Sequence, residues 1–298
     1  MEGSATCVAF VNEQEIVVGD KAGVVRRWNG SEFRLIQEME APITDIDVTA
    51  NYLAIAAGKL IRLVPLDGTN VVDLTGHKAL VRYVTVSRNG STVVSVAENG
   101  ELIRWRPNWR GKKVPGQVLR KQGNEMTAAA ISLDERTIAA VDDDRIQIWD
   151  CRNGAFRGTI RNVTNAPFHR VRFAPQPQDA TRVLTSLDND GVLRPWVGEN
   201  MPREKAIYCG GGVVRDFACL LNPPELVCIS DAQRIDRLSL RNTSLRYSTI
   251  CPAPIRRIAA GHNKRLDKRF TVAVFHDGDA HLYEQRSTLK EILDRDSI

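Results

Sequence analysis

Arginine is the residue type with which this chain could do most chemistry. The sequence has 298 residues and 41 Lys and Arg, of which 31 are Arg, and its formal net charge is +5. The guanidinium group is planar, stays charged and offers paired hydrogen bonds to carboxylate or phosphate. The composition therefore favours acidic, phosphorylated or nucleic-acid partners, provided that the arginines meet on one surface.

The densest basic stretch runs from Arg104 to Lys113 and continues at Arg120 and Lys121. Tryptophans between basic residues are typical of surfaces that bind nucleic acid by stacking and phosphate contacts. The alternative is a solvated sheet edge, whose charges prevent aggregation. The residues of this second basic surface are Arg104, Arg106, Trp109, Arg110, Lys112 and Lys113.

Other reactive side chains form no catalytic or metal-binding pattern. The six cysteines include no C-x-x-C pair, and the five histidines lack zinc-ligand spacing. There is no nucleophile motif, no glycine-rich phosphate loop and no carboxylate pair at a recognisable spacing. We expect reduced, buried thiols, no metal, no cofactor and no enzymatic activity.

A repeat of about 40 residues organises these residues. A strand-like run ends at an aromatic residue or leucine seven times, at Trp28, Leu66, Trp105, Trp149, Trp196, Leu238 and Tyr283, with gaps of 38, 39, 44, 47, 42 and 45 residues. This period is typical of a four-stranded β-propeller blade. The predicted fold is all-β, a seven-bladed propeller of four-stranded antiparallel blades that forms one domain over 1–298. The approximate blades are 4–41, 42–78, 79–123, 124–166, 167–211, 212–253 and 254–293.

The clearest copy, Arg145 to Gly154, alternates isoleucine with polar residues and ends its strand in Trp149-Asp150. It resembles the third strand of a WD-repeat blade, and Gly76-His77 stands where that family carries Gly-His. The resemblance implies a hydrogen-bonded set of His77, Ser95, Glu98 and Trp105. It also implies a rigid, non-catalytic platform that gathers partner proteins within a larger complex.

The first strand of each blade should begin at one rim of the central channel. Alignment on the first buried apolar residue gives two positions per blade: Thr6, Thr44, Arg82, Thr127, His169, Arg215 and Arg256, followed by Cys7, Asp45, Tyr83, Ala128, Arg170, Asp216 and Arg257. The predicted partner-binding rim consists of Arg82, Tyr83, His169, Arg170, Arg215, Arg256 and Arg257.

Like charges gathered at a rim repel one another unless negative groups neutralise them. Two sources of negative charge stay open. Acidic residues of the turns between second and third strands, such as Glu98 and Asp231, could pair with the arginines internally. Alternatively, the rim binds an acidic or phosphorylated segment of a partner.

Ring closure leaves two alternatives for the last blade. Ala5–Phe10 already reads as the first strand of blade 1, so the final outer strand comes from Thr288–Asp294 or is missing. We expect the seam between blades 7 and 1 to be the least stable part of the ring.

No apolar run is long enough to span a bilayer, and the N-terminus lacks a charged and apolar signal segment. We therefore expect an intracellular protein of the cytoplasm or nucleus with no membrane partner. The predicted function is a protein-interaction scaffold in a multiprotein complex. A nucleic-acid-associated propeller is the alternative, and a propeller enzyme is the remote one.

Overall fold

The computed structural model is built from β-strands. It describes residues 4–12, 15–29, 31–49, 51–66, 70–107, 114–121, 123–162, 164, 166–174, 183–197, 206–207, 212–220, 225–240, 245–251, 254–263, 268–275 and 280–285. The strands are β1 Ala5–Phe10, β2 Ile16–Asp20, β3 Val24–Trp28, β4 Phe33–Glu38, β5 Ile43–Val48, β6 Tyr52–Ala57, β7 Leu60–Pro65, β8 Val72–Thr75, β9 Val81–Val86, β10 Val93–Ala97, β11 Leu102–Trp105, β12 Gln117–Arg120, β13 Met126–Ile131, β14 Thr137–Asp142, β15 Arg145–Asp150, β16 Phe156–Arg161, β17 Phe168–Ala174, β18 Val183–Asp188, β19 Leu193–Val197, β20 Val214–Leu220, β21 Glu225–Ser230, β22 Arg234–Ser239, β23 Leu245–Ile250, β24 Ile255–Asn263, β25 Lys268–Phe275 and β26 Ala280–Gln285.

Within the described residues, these strands form seven antiparallel sheets, each made of strands consecutive in the chain. We number the sheets 1 to 7 in chain order. Their first strands, called the inner strands, are β1, β5, β9, β13, β17, β20 and β24. Each inner strand packs against the next, and β24 packs against β1. The inner strands thus close a ring, which confirms an all-β propeller.

The predicted fold class, seven four-stranded blades of which only the last could be incomplete, is wrong. Five sheets have four strands, whereas β17–β19 and β24–β26 have only three in the part of the chain that the structure describes. Beyond β19, a single bridge between Leu193 and Ile207 takes the place of a described fourth strand. The C-terminal stretch Thr288–Asp294 lies outside the described residues.

The second strands of the sheets show why the repeat folds this way. In β10 and β14 every residue is buried, because neighbouring sheets cover both faces of a blade. Such strands read as short continuous apolar runs rather than as an alternation. Outer strands such as β16 alternate exposed and partly buried residues, since they lie at the perimeter.

The predicted hydrogen-bonded set is present in sheet 3, but one of its members is a different residue from the one predicted. Trp105 Nε1 donates to Ser95 Oγ at 2.8 Å, and His77 Nε2 lies 2.6 Å from the same oxygen. His77 Nδ1 lies 2.7 Å from a carboxylate oxygen of Glu101. The predicted member Glu98 is wrong, because it lies exposed in the turn, whereas Glu101 is buried at the start of the third strand.

Replacement of Ser95 by alanine tests this set. We expect Ser95→Ala to lower the free energy of unfolding by about 1–3 kcal/mol, because the buried Trp105 and His77 nitrogens each lose their shared partner. Urea unfolding measures the effect, and Ser91→Ala at an exposed turn is the control. Equal unfolding midpoints for the two variants would show that the set does not stabilise the blade.

Candidate partner-binding site at the central channel

The ring arrangement leaves one edge of every sheet facing the central channel. Backbone groups on such an edge lack a strand partner and must be satisfied in another way. Residues at the first aligned position supply part of the answer. Thr6 Oγ1 donates to Ile43 O at 2.7 Å, and Thr44 Oγ1 donates to Val81 O at 2.7 Å. In both cases the acceptor belongs to the next inner strand.

The same contact recurs in sheets 4 and 5. Thr127 Oγ1 donates to Phe168 O at 3.3 Å, and His169 Nε2 lies 3.0 Å from Arg215 O. His169 was predicted as a partner-binding residue, and the structure places it between β17 and β20. Burial lowers the pKa of its imidazole, so the ring is neutral at pH 7.

Aspartates at channel positions satisfy the donors of the same edges. Asp45 Oδ2 accepts the N–H of Val84 at 3.1 Å, and Asp216 Oδ2 accepts the N–H of Ile258 at 3.3 Å. Asp47, which sequence reasoning missed, accepts the N–H of Val86 at 2.8 Å. Its signal was the alternation of the strand, because Asp47 shares a face with Asp45.

Three predicted residues meet across the channel. Tyr83 of sheet 3 lies between the guanidinium groups of Arg170 and Arg257, whose Cζ atoms are 5.0 and 5.6 Å from its ring centroid. Arg257 Nη2 also lies 3.4 Å from the Tyr83 hydroxyl oxygen, and Arg170 Nε lies 3.1 Å from Asp216 Oδ1. Cation–π contacts therefore link sheets 3, 5 and 7, and the buried ion pair of Arg170 with Asp216 links sheet 5 to sheet 6.

Arg82 and Arg215 lie on the rim rather than in the channel. Arg82 Nη2 lies 3.2 Å from Glu98 Oε2, and Arg215 Nη2 lies 3.2 Å from Asp231 Oδ2. Their side chains are 43% and 52% exposed. Exposed pairs of this kind contribute about 0–1 kcal/mol. The rim arginines are thus paired internally, but by contacts weak enough to exchange.

The channel contains a cavity of about 390 Å³. Asp45, Asp47, Tyr83 and Arg170 line it together with Arg172, a second residue that sequence reasoning missed. Arg172 Nε donates to Phe217 O at 3.0 Å, another bond to the edge of the next inner strand. Its signal was again its position two residues after Arg170.

The remaining predicted residues do not form one surface. Arg256 lies in β24, and its side chain is outside the described residues. Arg104 is buried and donates to Cys151 O at 2.5 Å, so it is wrongly predicted as a surface residue. Arg106 is exposed and donates to Arg152 O. Trp109, Arg110, Lys112 and Lys113 lie outside the described residues.

No cluster of three or more histidine, cysteine or carboxylate side chains in the described part of the chain could hold a metal ion. Among the same residues, no helix has the length and apolarity needed to cross a membrane.

The ring and its channel define the fold as a β-propeller, and a solved structure agrees. The chain superposes on the crystal structure of the WD40 β-propeller domain of Doa1 with a TM-score of 0.75 and 16% identity, over 96% of this chain and 94% of that one. The resemblance to WD-repeat propellers is thereby confirmed at the level of fold.

One curated relative is similar in sequence. The SIR4-interacting protein SIF2 of Saccharomyces cerevisiae is 22% identical over 291 residues, which cover 94% of this chain. The match spans 46% of that protein, so this chain corresponds to about half its length. No family model matches the sequence.

The pH dependence of stability tests the placement of Asp45. Burial raises the pKa of its carboxyl group to about 7 from 3.8. The folded chain then holds this proton more tightly than the unfolded chain, so Asp45 makes folding less favourable as pH rises from about 4 to 7. We expect Asp45→Asn, whose amide oxygen can still accept the Val84 N–H, to be more stable than the wild type at pH 8.

Urea unfolding of the two proteins between pH 5 and 8 measures this difference. The difference in free energy of unfolding between Asp45→Asn and the wild type should narrow toward pH 5. The exposed control Asp190→Asn should match the wild type at every pH. A constant difference would show that Asp45 does not titrate in this range.

Proposed function

We propose that this protein is a non-catalytic interaction scaffold that takes part in a multiprotein complex and binds an acidic or phosphorylated partner segment at its channel rim. The coarse part, a protein-interaction scaffold, is supported by the WD40-type propeller fold and by a relative whose name describes it as SIR4-interacting. The proposal treats residues 1–298 as one propeller domain.

The observation that carries the finer part is the state of Arg82 and Arg215. Both guanidinium groups lie on the rim and have only exposed ion pairs, Arg215 with Asp231, and Arg82 with Glu98 and, at 3.9 Å, with Glu125. A carboxylate or phosphate of a partner can replace Glu98 or Asp231 without moving any strand. A dianionic phosphate in particular forms stronger, charge-assisted bonds to arginine than a neutral acceptor does.

Arg170 and Arg257 contribute to the proposed site from inside the channel, below the rim. Their side chains are fixed against Tyr83, and Arg170 is also paired with buried Asp216, so exchange there would leave a buried charge without a partner. These two arginines therefore add positive potential at the mouth, while Arg82 and Arg215 make the contacts.

The proposed location is the cytoplasm or the nucleus.

Charge reversal at the rim tests the proposal. Arg82→Glu with Arg215→Glu should reduce partner recovery about tenfold, because the segment then meets negative charge on both sides. Affinity purification with quantitative mass spectrometry measures recovery from cell extract.

Two substitutions that neutralise acidic residues should have the opposite effect on partner recovery. Glu98→Gln with Asp231→Asn removes the two nearer carboxylates and leaves only Glu125, 3.9 Å from Arg82 Nε. This variant should increase recovery of the same partners, with circular dichroism confirming that all variants fold. If the three proteins recover the same partners equally, the rim does not bind them.

A further inference from the structure

A second group of arginines lies at the opposite end of the inner strands. Arg88 and Arg136 are in the turns that follow β9 and β13, while Arg106 and Arg152 directly follow β11 and β15. All four are exposed. Unlike Arg82 and Arg215, none of them has an ion pair with any residue that the structure describes.

Hydrogen bonds show that the four positions are neighbours. Asn89, next to Arg88, donates from its backbone nitrogen to Glu135 Oε1 at 3.1 Å. The N–H of Cys151, next to Arg152, donates to Arg136 O at 2.8 Å. Arg106 Nη2 in turn donates to Arg152 O. The turns of sheets 3 and 4 are thereby joined into one continuous surface.

The nearby carboxylates are already occupied. Asp134 accepts from Ser132 Oγ at 2.6 Å and from the Arg136 backbone N–H at 3.1 Å. Glu135 accepts both donors of Asn89. These two acids therefore hold the turns in shape, while Arg106 donates to Arg152 O and the side chains of all four arginines stay exposed.

Asp150 is the third carboxylate and is engaged in the same way. The side-chain hydrogen bond from Arg157 lowers its pKa to about 2, and the backbone N–H groups of Arg152 and Asn153 act in the same direction. It remains an anion at any pH in a cell and stays with Arg157. With five arginines against three carboxylates, this surface keeps a net positive charge of +2.

Two exposed apolar side chains accompany the charge. Leu133 in the turn with Arg136 is 43% exposed, and Phe156 at the start of β16 is 57% exposed. Phe156 stands edge-on to Trp149 with ring centroids 5.7 Å apart, which fixes its orientation. A partner that covers both residues would gain apolar burial in addition to ion pairing.

We propose that this lower surface, made of Arg88, Arg106, Arg136, Arg152, Leu133 and Phe156, binds an acidic partner segment that also carries apolar side chains. The proposal does not depend on the function proposed for the rim. Arginine with exposed Leu and Phe fits a protein segment, in which carboxylates alternate with apolar residues. A single-stranded nucleic acid would instead require several aromatic faces for successive bases, and Phe156 is the one large exposed aromatic among these residues.

The test uses a labelled synthetic peptide in which glutamate pairs alternate with leucine and phenylalanine. We expect the wild-type protein to bind it in fluorescence anisotropy, and to bind an analogue with glutamine in place of glutamate about tenfold more weakly. Arg136→Glu with Arg152→Glu should weaken binding of the acidic peptide by at least the same factor. The rim variant Arg82→Glu with Arg215→Glu should bind it as the wild type does.

Three results would overturn the proposal: no binding of the acidic peptide by the wild type, equal binding by the Arg136 and Arg152 variant, or tighter and more salt-dependent binding of a labelled single-stranded DNA. Loss of binding in the rim variant alone would assign the peptide to the rim instead. If the charge-reversed lower variant does not fold, Arg136→Gln with Arg152→Gln replaces it, because it keeps the backbone bonds to Cys151 and Asp150.

Discussion

Satisfying the inner edges of the sheets is the constraint on which this structure depends. A propeller turns one edge of every sheet toward a shared channel, and the backbone groups on that edge need partners. Here sheets 1, 2, 4, 5 and 6 each supply side chains for the edge of the next sheet. Threonine hydroxyls reach carbonyls, while Asp45, Asp47 and Asp216 reach N–H groups. The residues that line the channel are therefore part of the framework of the ring.

This constraint explains why charge in the channel differs from charge on the rim. Asp45 and Asp216 are fixed by backbone donors, and Arg170 lies between Asp216 and Tyr83. Removal of Asp216 would leave the charge of Arg170 buried without its ion-pair partner, which is more costly than loss of an exposed pair. Arg82 and Arg215 occupy the first aligned position of their strands, one residue before the position of Asp45, Arg170 and Asp216. They face solvent and have only exchangeable partners. Position along the strand thus separates the arginines fixed in the channel from those proposed to bind a partner.

Sequence patterns predicted the repeat and many strand positions well. The interval between markers gave the propeller, Ala5–Phe10 is β1, and Arg145–Asp150 forms β15 with Trp149 buried. Alternation of residues along a strand assigns each side chain to a face, but it does not state how far the side chain reaches. For this reason the pattern grouped Arg170 with Arg215, although one is buried and the other exposed. The family resemblance placed Glu98 of the turn beside His77, whereas Glu101 at the start of the third strand occupies that place.

The second basic surface also shows that a local sequence pattern does not tell which side chains reach the protein surface. A dense run of basic letters drew attention to Arg104, yet that side chain is buried between sheets 3 and 4. The unpaired arginines instead come from four separate segments that only the ring brings together, so no local window contains them.

The placement of the two arginine groups at opposite ends of sheet 3 also has a mechanical consequence. Sheet 3 carries Arg82 at one end and Arg88 and Arg106 at the other, and its set of His77, Ser95 and Trp105 holds the blade between them. Two surfaces at opposite ends of one stiff sheet can bind partners at the same time without the sheet changing shape, which is what a scaffold requires.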